Sequence, residues 1–213
     1  ARVDRAGVHR DCEVVAVEPA ARAVAARRVD HAVPVRVARA DRRGVAVLVD
    51  SFGIADLGLV RSDVGVRVVA DEYPDTGSLG GIATALRHAR HDRVLVVACD
   101  MPDLSLRLLD AMARLATEAD VVIPTTPPGR SHQGGAHTYE TLHAIYRRSC
   151  LASIEQRLAA GRLKVVDFLD DVRVRVLDES WLRDYDPELA SFATVTTPDD
   201  LTRIRDAQQE RVV

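Results

Sequence analysis

From about Val45 onward, short β-branched apolar runs alternate with stretches whose apolar residues recur at helical spacing. Such alternation marks βαβ units around a mostly parallel sheet. Strands are expected at 45–50, 66–69, 93–99, 120–124 and 172–177, and helices at 80–90, 105–117, 150–160 and 198–208. The run Arg93 to Cys99 is almost wholly apolar, as a central strand covered on both faces requires. Ser105 is placed to cap the helix after it, and Thr197 precedes a Pro at the first position of the last helix. Pro124 to His137 mixes Pro, Gly, Thr and His without a period, so a surface loop is expected there. The first 44 residues follow neither period, and Pro19 and Pro34 interrupt the helix pattern that propensity favours around Ala20 to Val29.

Composition narrows this picture. A chain of 213 residues, 47% hydrophobic and 29% charged, suits one core, and 1–213 is read as a single domain. A net charge of -3 with both signs interspersed argues against a broad nucleic-acid or anionic-membrane surface, so any phosphate recognition must be local. Cys12, Cys99 and Cys150 are scattered and form no CxxC pair, which points to reduced thiols rather than a disulfide framework or a zinc ribbon. No apolar run is long enough to span a bilayer and no signal-peptide core is present, so a cytoplasmic location is the expectation.

Two segments carry candidate chemistry. The apolar strand at 93–99 runs directly into Asp100, and ligands of open α/β sheets bind beyond the carboxyl ends of strands. One carboxylate together with substrate phosphate oxygens suits magnesium, a hard cation that retains water and needs few protein ligands. The competing reading is an Asp that only caps the following turn. The second segment, Asp71 to Ile82, holds Gly77, Gly80 and Gly81 as the chain enters a helix, and lets backbone approach a flat ligand or a phosphate; such turns are also often only turns. Elsewhere, His132, His137 and His143 match no zinc spacing, and Ser131 beside His132 lacks a nucleophile elbow. Arg147 and Arg148 either reach phosphate from a strand end or are solvated charges.

Taken together, Arg67 to Asp71, Gly77-Ser78-Leu79-Gly80-Gly81-Ile82, Cys99-Asp100-Met101-Pro102, Leu142 to Arg147, Lys164 to Leu169 and Ser191 to Leu201 resemble, in order, segments of the molybdenum cofactor guanylyltransferase family. The likeness covers roughly the last four fifths of the chain, and its combination is more specific than any one motif. It implies a three-layer, Rossmann-like α/β nucleotidyltransferase domain of GT-A type. It further implies Mg2+-dependent transfer of GMP from GTP to molybdopterin with release of pyrophosphate, and passing contact with molybdoenzymes or other cofactor-biosynthesis proteins. By the same resemblance Asp100 binds the metal, while Asp71, Asp50 and the Gly77, Ser78, Leu79, Gly80, Gly81 turn contact the nucleotide. The position of Asp50 is usually Asn in the family.

The chain also departs from that family. Thr194 and Thr196 stand where Asn residues are common near the pterin. The family's opening Leu-Ala-Gly-Gly loop, with a downstream Arg and Lys that cradle the triphosphate, has no counterpart, and Lys164 is the sole lysine. Read one base later with GC-rich codons, Asp4 to Val17 can yield a Gly-rich, Lys-containing loop, so a frameshifted segment within residues 1–44 is hypothesised; an unshifted coding DNA with no overlapping Gly-rich frame would refute this. A degenerate nucleotide- or pterin-binding homologue is the reading from another class, and a cytidylyl- or sugar-phosphate nucleotidyltransferase is the close enzymatic one.

Overall fold

The computed structural model describes residues 14–18, 45–50, 67–98, 100–101, 103–127, 138–195 and 202, with 14–18, 45–50, 67–68 and 138 described by backbone alone. Its strands are β1 (Val14–Glu18), β2 (Val45–Asp50), β3 (Arg67–Ala70), β4 (Arg93–Ala98), β5 (Val121–Thr126), β6 (Thr138–Tyr139), β7 (His143–Arg147) and β8 (Val174–Leu177). The helices are α1 (Gly77–His88), α2 (Leu106–Leu115), α3 (Leu151–Ala159) and α4 (Glu179–Arg183). Among the described residues no helix is long and apolar enough to cross a membrane.

All eight strands join one sheet in the order β3, β1, β2, β4, β7, β5, β6, with β8 on the other side of β5. β3, β1, β2 and β4 are mutually parallel. β7 runs antiparallel to both β4 and β5, which restores β5 and its parallel partner β8 to the direction of β4. The expected parallel character therefore holds, but with one reversed strand inserted in the middle. The left half also differs from the usual 3-2-1-4 order of doubly wound sheets. Here β1 lies between β3 and β2, and β2 is the neighbour of β4.

Two apolar cores cover the two faces, and β4 divides between them with the period of two that a strand imposes. Val94 and Val96 pack with Leu79, Ile82 and Leu86 of α1 and Ile154 of α3. Leu95 and Val97 pack with Leu108 and Met112 of α2 and Leu182 of α4. Complete burial of such a side chain contributes about 1.5–3 kcal/mol, which makes β4 a firm element to seat a ligand group on.

Helix boundaries follow from local chemistry. Ser105 caps α2, its Oγ accepting the Leu108 N–H at 3.3 Å, as its position before the apolar periodicity suggests. α1 begins three residues earlier than expected, because Gly77 to Gly80 already belong to the helix despite poor propensity. Thr76 is tied by its hydroxyl to the Tyr73 carbonyl, and Tyr73, Arg87 and Glu155 form a side-chain network that holds the preceding loop against α1 and α3. Three elements, β1, β6 and α4, are present that the hydropathy pattern does not announce, and β7 is one whose end at Arg147 alone was expected. The helix expected at 198–208 lies outside the described residues apart from Thr202.

Candidate functional site

The carboxyl ends of β3, β1, β2, β4 and β5 share one edge of the sheet. In the register, Val69 stands opposite Val17, Val17 opposite Asp50, and Asp50 opposite Ala98. Asp71 and Asp100 each follow this row by two residues. Asp50 and Asp100 thus leave adjacent strands, whereas Asp71 is three strand spacings, roughly 14 Å, from Asp100. That separation rules out one metal bridging Asp71 and Asp100, and it suits two ends of an extended nucleotide.

Each aspartate is positioned differently. Asp71 Oδ1 accepts the Tyr73 N–H and the Thr84 hydroxyl, both at 2.9 Å, and Thr84 is fully buried on α1. The Asp71 side chain is therefore part of the joint between loop and helix as well as a ligand candidate. Asp100 is half-buried, and its carbonyl accepts the Val195 N–H at 2.8 Å. The segment after α4 is in turn fastened to the loop that follows Asp100: Ser191 Oγ accepts the Ser105 N–H at 2.8 Å, and Ser105 Oγ donates to the Tyr185 carbonyl at 3.0 Å. Asp186 anchors the same segment by accepting the Ala190 and Ser191 N–H groups at 3.1 and 2.9 Å. Thr194 is therefore carried close to Asp100, while Thr196 lies outside the described residues.

The Gly-rich turn divides into two sets. Gly77, Ser78 and Gly81 face outward, and Gly77 has a φ of 63° that only glycine adopts readily. Leu79 is wholly buried in the core, so it can offer a ligand nothing but its backbone. Gly80 is also buried: a Cβ there would collide with Thr76 Oγ1 and come within 2.8 Å of the Tyr73 carbonyl. Its missing side chain serves loop-to-helix packing, not ligand approach.

The two arginines considered for phosphate sit elsewhere. Because β7 is reversed, its carboxyl end lies at the amino end of β4, with Arg147 opposite Arg93. There Arg147 pairs with Asp92 at 2.8 Å, and Arg148 donates to the Ala89 and His91 carbonyls. The phosphate reading of Arg147 and Arg148 is corrected accordingly. The opposite end of β7 brings a different pair to the site edge. These are Glu140, 8% exposed, and His143, wholly buried. Their signal in the sequence is only that two polar residues flank a short, uncharged pair, Thr141 and Leu142.

Among the described residues no three His, Cys, Asp or Glu side chains converge as a metal-binding group. A single carboxylate such as Asp100 is the kind of protein ligand that a magnesium ion held chiefly by nucleotide phosphates and water requires. Among the described residues the side chains are compatible with such an ion and do not assemble a protein-enclosed zinc or calcium site.

A three-layer α/β domain with carboxylates and a helix amino terminus along one carboxyl edge has the layout in which such sheets bind nucleotides, and the family it matches is one of nucleotidyltransferases. The description "MobA-like NTP transferase domain" matches residues 18–173, and the chain belongs to that family. It is 35% identical over 170 residues to a probable molybdenum cofactor guanylyltransferase of Pelotomaculum thermopropionicum, covering 80% of this chain and 77% of that one. Among solved structures it is similar to molybdopterin-guanine dinucleotide biosynthesis protein A of Archaeoglobus fulgidus, at 27% identity and a TM-score of 0.60, covering 78% and 79% of the two chains. A 2-C-methyl-D-erythritol 4-phosphate cytidylyltransferase of Francisella tularensis shares the fold alone, with 10% identity and a TM-score of 0.58 over 91% of this chain and 98% of that one.

Proposed function

We propose that the chain transfers GMP from GTP to the terminal phosphate of molybdopterin, releasing pyrophosphate. The observation that carries this reading is the row of β2, β4 and β3 ends, which sets Asp50 and Asp100 together and Asp71 roughly 14 Å away. An acceptor phosphate oxygen forms a bond to the α-phosphorus of GTP as the bond from that phosphorus to the β-phosphate bridging oxygen breaks. No enzyme nucleophile is needed. Asp100 would hold Mg2+, which would supply charge neutralisation on the α-phosphate and the leaving pyrophosphate. Asp71, fixed by Thr84 and the Tyr73 amide, receives the nucleoside end. The outward Gly77, Ser78 and Gly81 let α1 present first-turn N–H groups to the nucleotide without side chains in the way. Thr194, held near Asp100 by the Val195 contact, faces the acceptor side.

Pyrophosphate release with GTP, Mg2+ and molybdopterin tests the reading, with CTP and UTP in parallel to establish the base. Asp100→Ala is expected to cut turnover by about 10²–10³-fold, the scale at which loss of one transition-state charge stabiliser is felt. Turnover within about tenfold of the parent in that variant would sink the metal assignment. Nucleotide binding without any turnover in the parent chain would instead favour a non-catalytic homologue, the reading to which the first 44 residues lend weight.

A further inference from the structure

Glu140 opens the turn between β6 and β7 and is nearly sealed from solvent. Its Oε1 accepts a hydrogen bond from the hydroxyl of Thr126, itself completely buried at the end of β5. Burial raises its pKa and the Thr126 bond only partly opposes that, with no cation among the described residues contributing. The backbone around it is fixed, its N–H donating to the Pro124 carbonyl at 2.9 Å and its carbonyl accepting the His143 N–H at 3.0 Å.

For stability alone this carboxylate is a poor choice. A buried carboxylate without a cation costs several kcal/mol, whereas a Gln of the same shape would satisfy Thr126 with no charge to desolvate. The position supplies a reason for it. Glu140 lies on the line of β6 and β7 between β5 and β4, its N–H bonded to the Pro124 carbonyl while the nearby Leu142 carbonyl accepts the Ala98 N–H, so it occupies the same carboxyl edge as Asp100, about one strand spacing, roughly 5 Å, from the line of β4. It also lies on the opposite side of Asp100 from Asp71. A second anion there repels phosphate and selects the uncharged end of whatever molecule has its phosphate at Asp100. Two carboxylate oxygens match, bidentately, a ring edge that presents an N–H beside an NH2.

We infer that Glu140 is a specificity-determining residue of the acceptor side, its carboxylate receiving the paired N–H donors of a 2-amino-4-oxopyrimidine ring edge. This rests on the transfer reading above. Guanine and a pterin share that edge, and the placement of Glu140 away from Asp71 assigns it to the pterin. Glu140→Gln keeps the shape and replaces one of the two acceptor oxygens with a donor.

The test uses the full chain and measures KM for molybdopterin and for GTP, kcat, thermal midpoint, and fluorescence binding of 6-hydroxymethylpterin. The expected result for E140Q is a rise of tenfold or more in acceptor KM and in the pterin dissociation constant, with GTP KM within twofold and the thermal midpoint at pH 7 unchanged or higher. A purely structural Glu140 would instead lower the midpoint and leave acceptor KM alone, which overturns the inference. A rise in GTP KM alone also overturns it, by moving the residue to the nucleotide. If the parent chain shows no turnover yet E140Q weakens pterin binding tenfold, the transfer reading fails and the role of Glu140 stands. If the parent is active and E140Q is indistinguishable from it, the transfer reading stands and the role of Glu140 fails.

Discussion

His143 offers the sharpest physical test of the packing beneath the site. It stands opposite Val97 on β4, has no solvent exposure, and its ring meets Phe192 at 4.7 Å between centroids. Neither ring nitrogen has a hydrogen-bond partner among the described residues. Burial pulls its pKa down to about 4, while the charge of Asp186 works weakly in the other direction. A histidine whose pKa in the fold lies below its ordinary value of about 6.5 binds more protons in the unfolded chain, so folding stability falls as pH drops from 6.5 toward 4. With those two values the loss relative to pH 7 is about 2 kcal/mol at pH 5 and about 3 kcal/mol at pH 4. His143→Leu has nearly the same volume. It removes a buried unsatisfied N–H, worth about 1–3 kcal/mol, and loses a ring contact worth about 0.5–1.5 kcal/mol. The variant is therefore expected within about 1 kcal/mol of the parent at pH 7. It should become the more stable of the two by a further 2 to 3 kcal/mol, roughly, by pH 4 to 5. Urea denaturation of both proteins at pH 4, 5, 6 and 7 measures this, and the contribution of Glu140 cancels because both carry it. Stability curves that run parallel from pH 7 to 4 would refute the neutral, unpartnered histidine.

Two further perturbations separate structure from site. Gly80→Ala puts a methyl against Thr76 and the Tyr73 carbonyl and should destabilise by about 1–3 kcal/mol. Gly81→Ala, with open space around it, should gain about 0.5–1 kcal/mol in thermal or urea denaturation while raising KM for GTP several-fold. A Gly81→Ala enzyme with unchanged KM would remove that glycine from the nucleotide site. At the far edge, Asp120 accepts hydrogen bonds from the Arg173 side chain and backbone and from Ser149, which hold its carboxyl at about 2. The Arg173 side chain supplies the largest share. A carboxyl depressed in the fold stabilises above its unfolded value of about 3.8 and loses that contribution as pH falls through 2. Asp120→Asn should therefore cost about 1–2 kcal/mol at pH 7, discounted for the exposed arginine, with the difference from the parent vanishing toward pH 2 in acid titrations of stability.

The strands and helices that proved legible in the sequence are those specified by local pattern. β2, β3, β4, β5 and β8 lie within a few residues of their expected places, as do α1, α2 and α3, because apolar period, strand length and a capping serine act over neighbouring residues. The place of Asp100 just beyond β4 was legible for the same reason, since a both-face apolar strand announces its own carboxyl end. β7 was legible only as a strand end at Arg147, its bounds and direction hidden: His143 and Tyr146 interrupt its hydropathy, and burial on both faces removes the alternation that would mark it. Strand order was hidden too, because it depends on pairing between segments far apart, and it put β2 rather than β1 beside β4. Those two decisions, the reversed strand and the exchanged order, determine which chain ends meet at the site. They move Arg147 and Arg148 to the far edge, bring Glu140 and His143 to the near one, and set Asp50 beside Asp100. A strand's sequence specifies its faces, but only its neighbours specify its direction, and direction decides which of its two ends lies at the site.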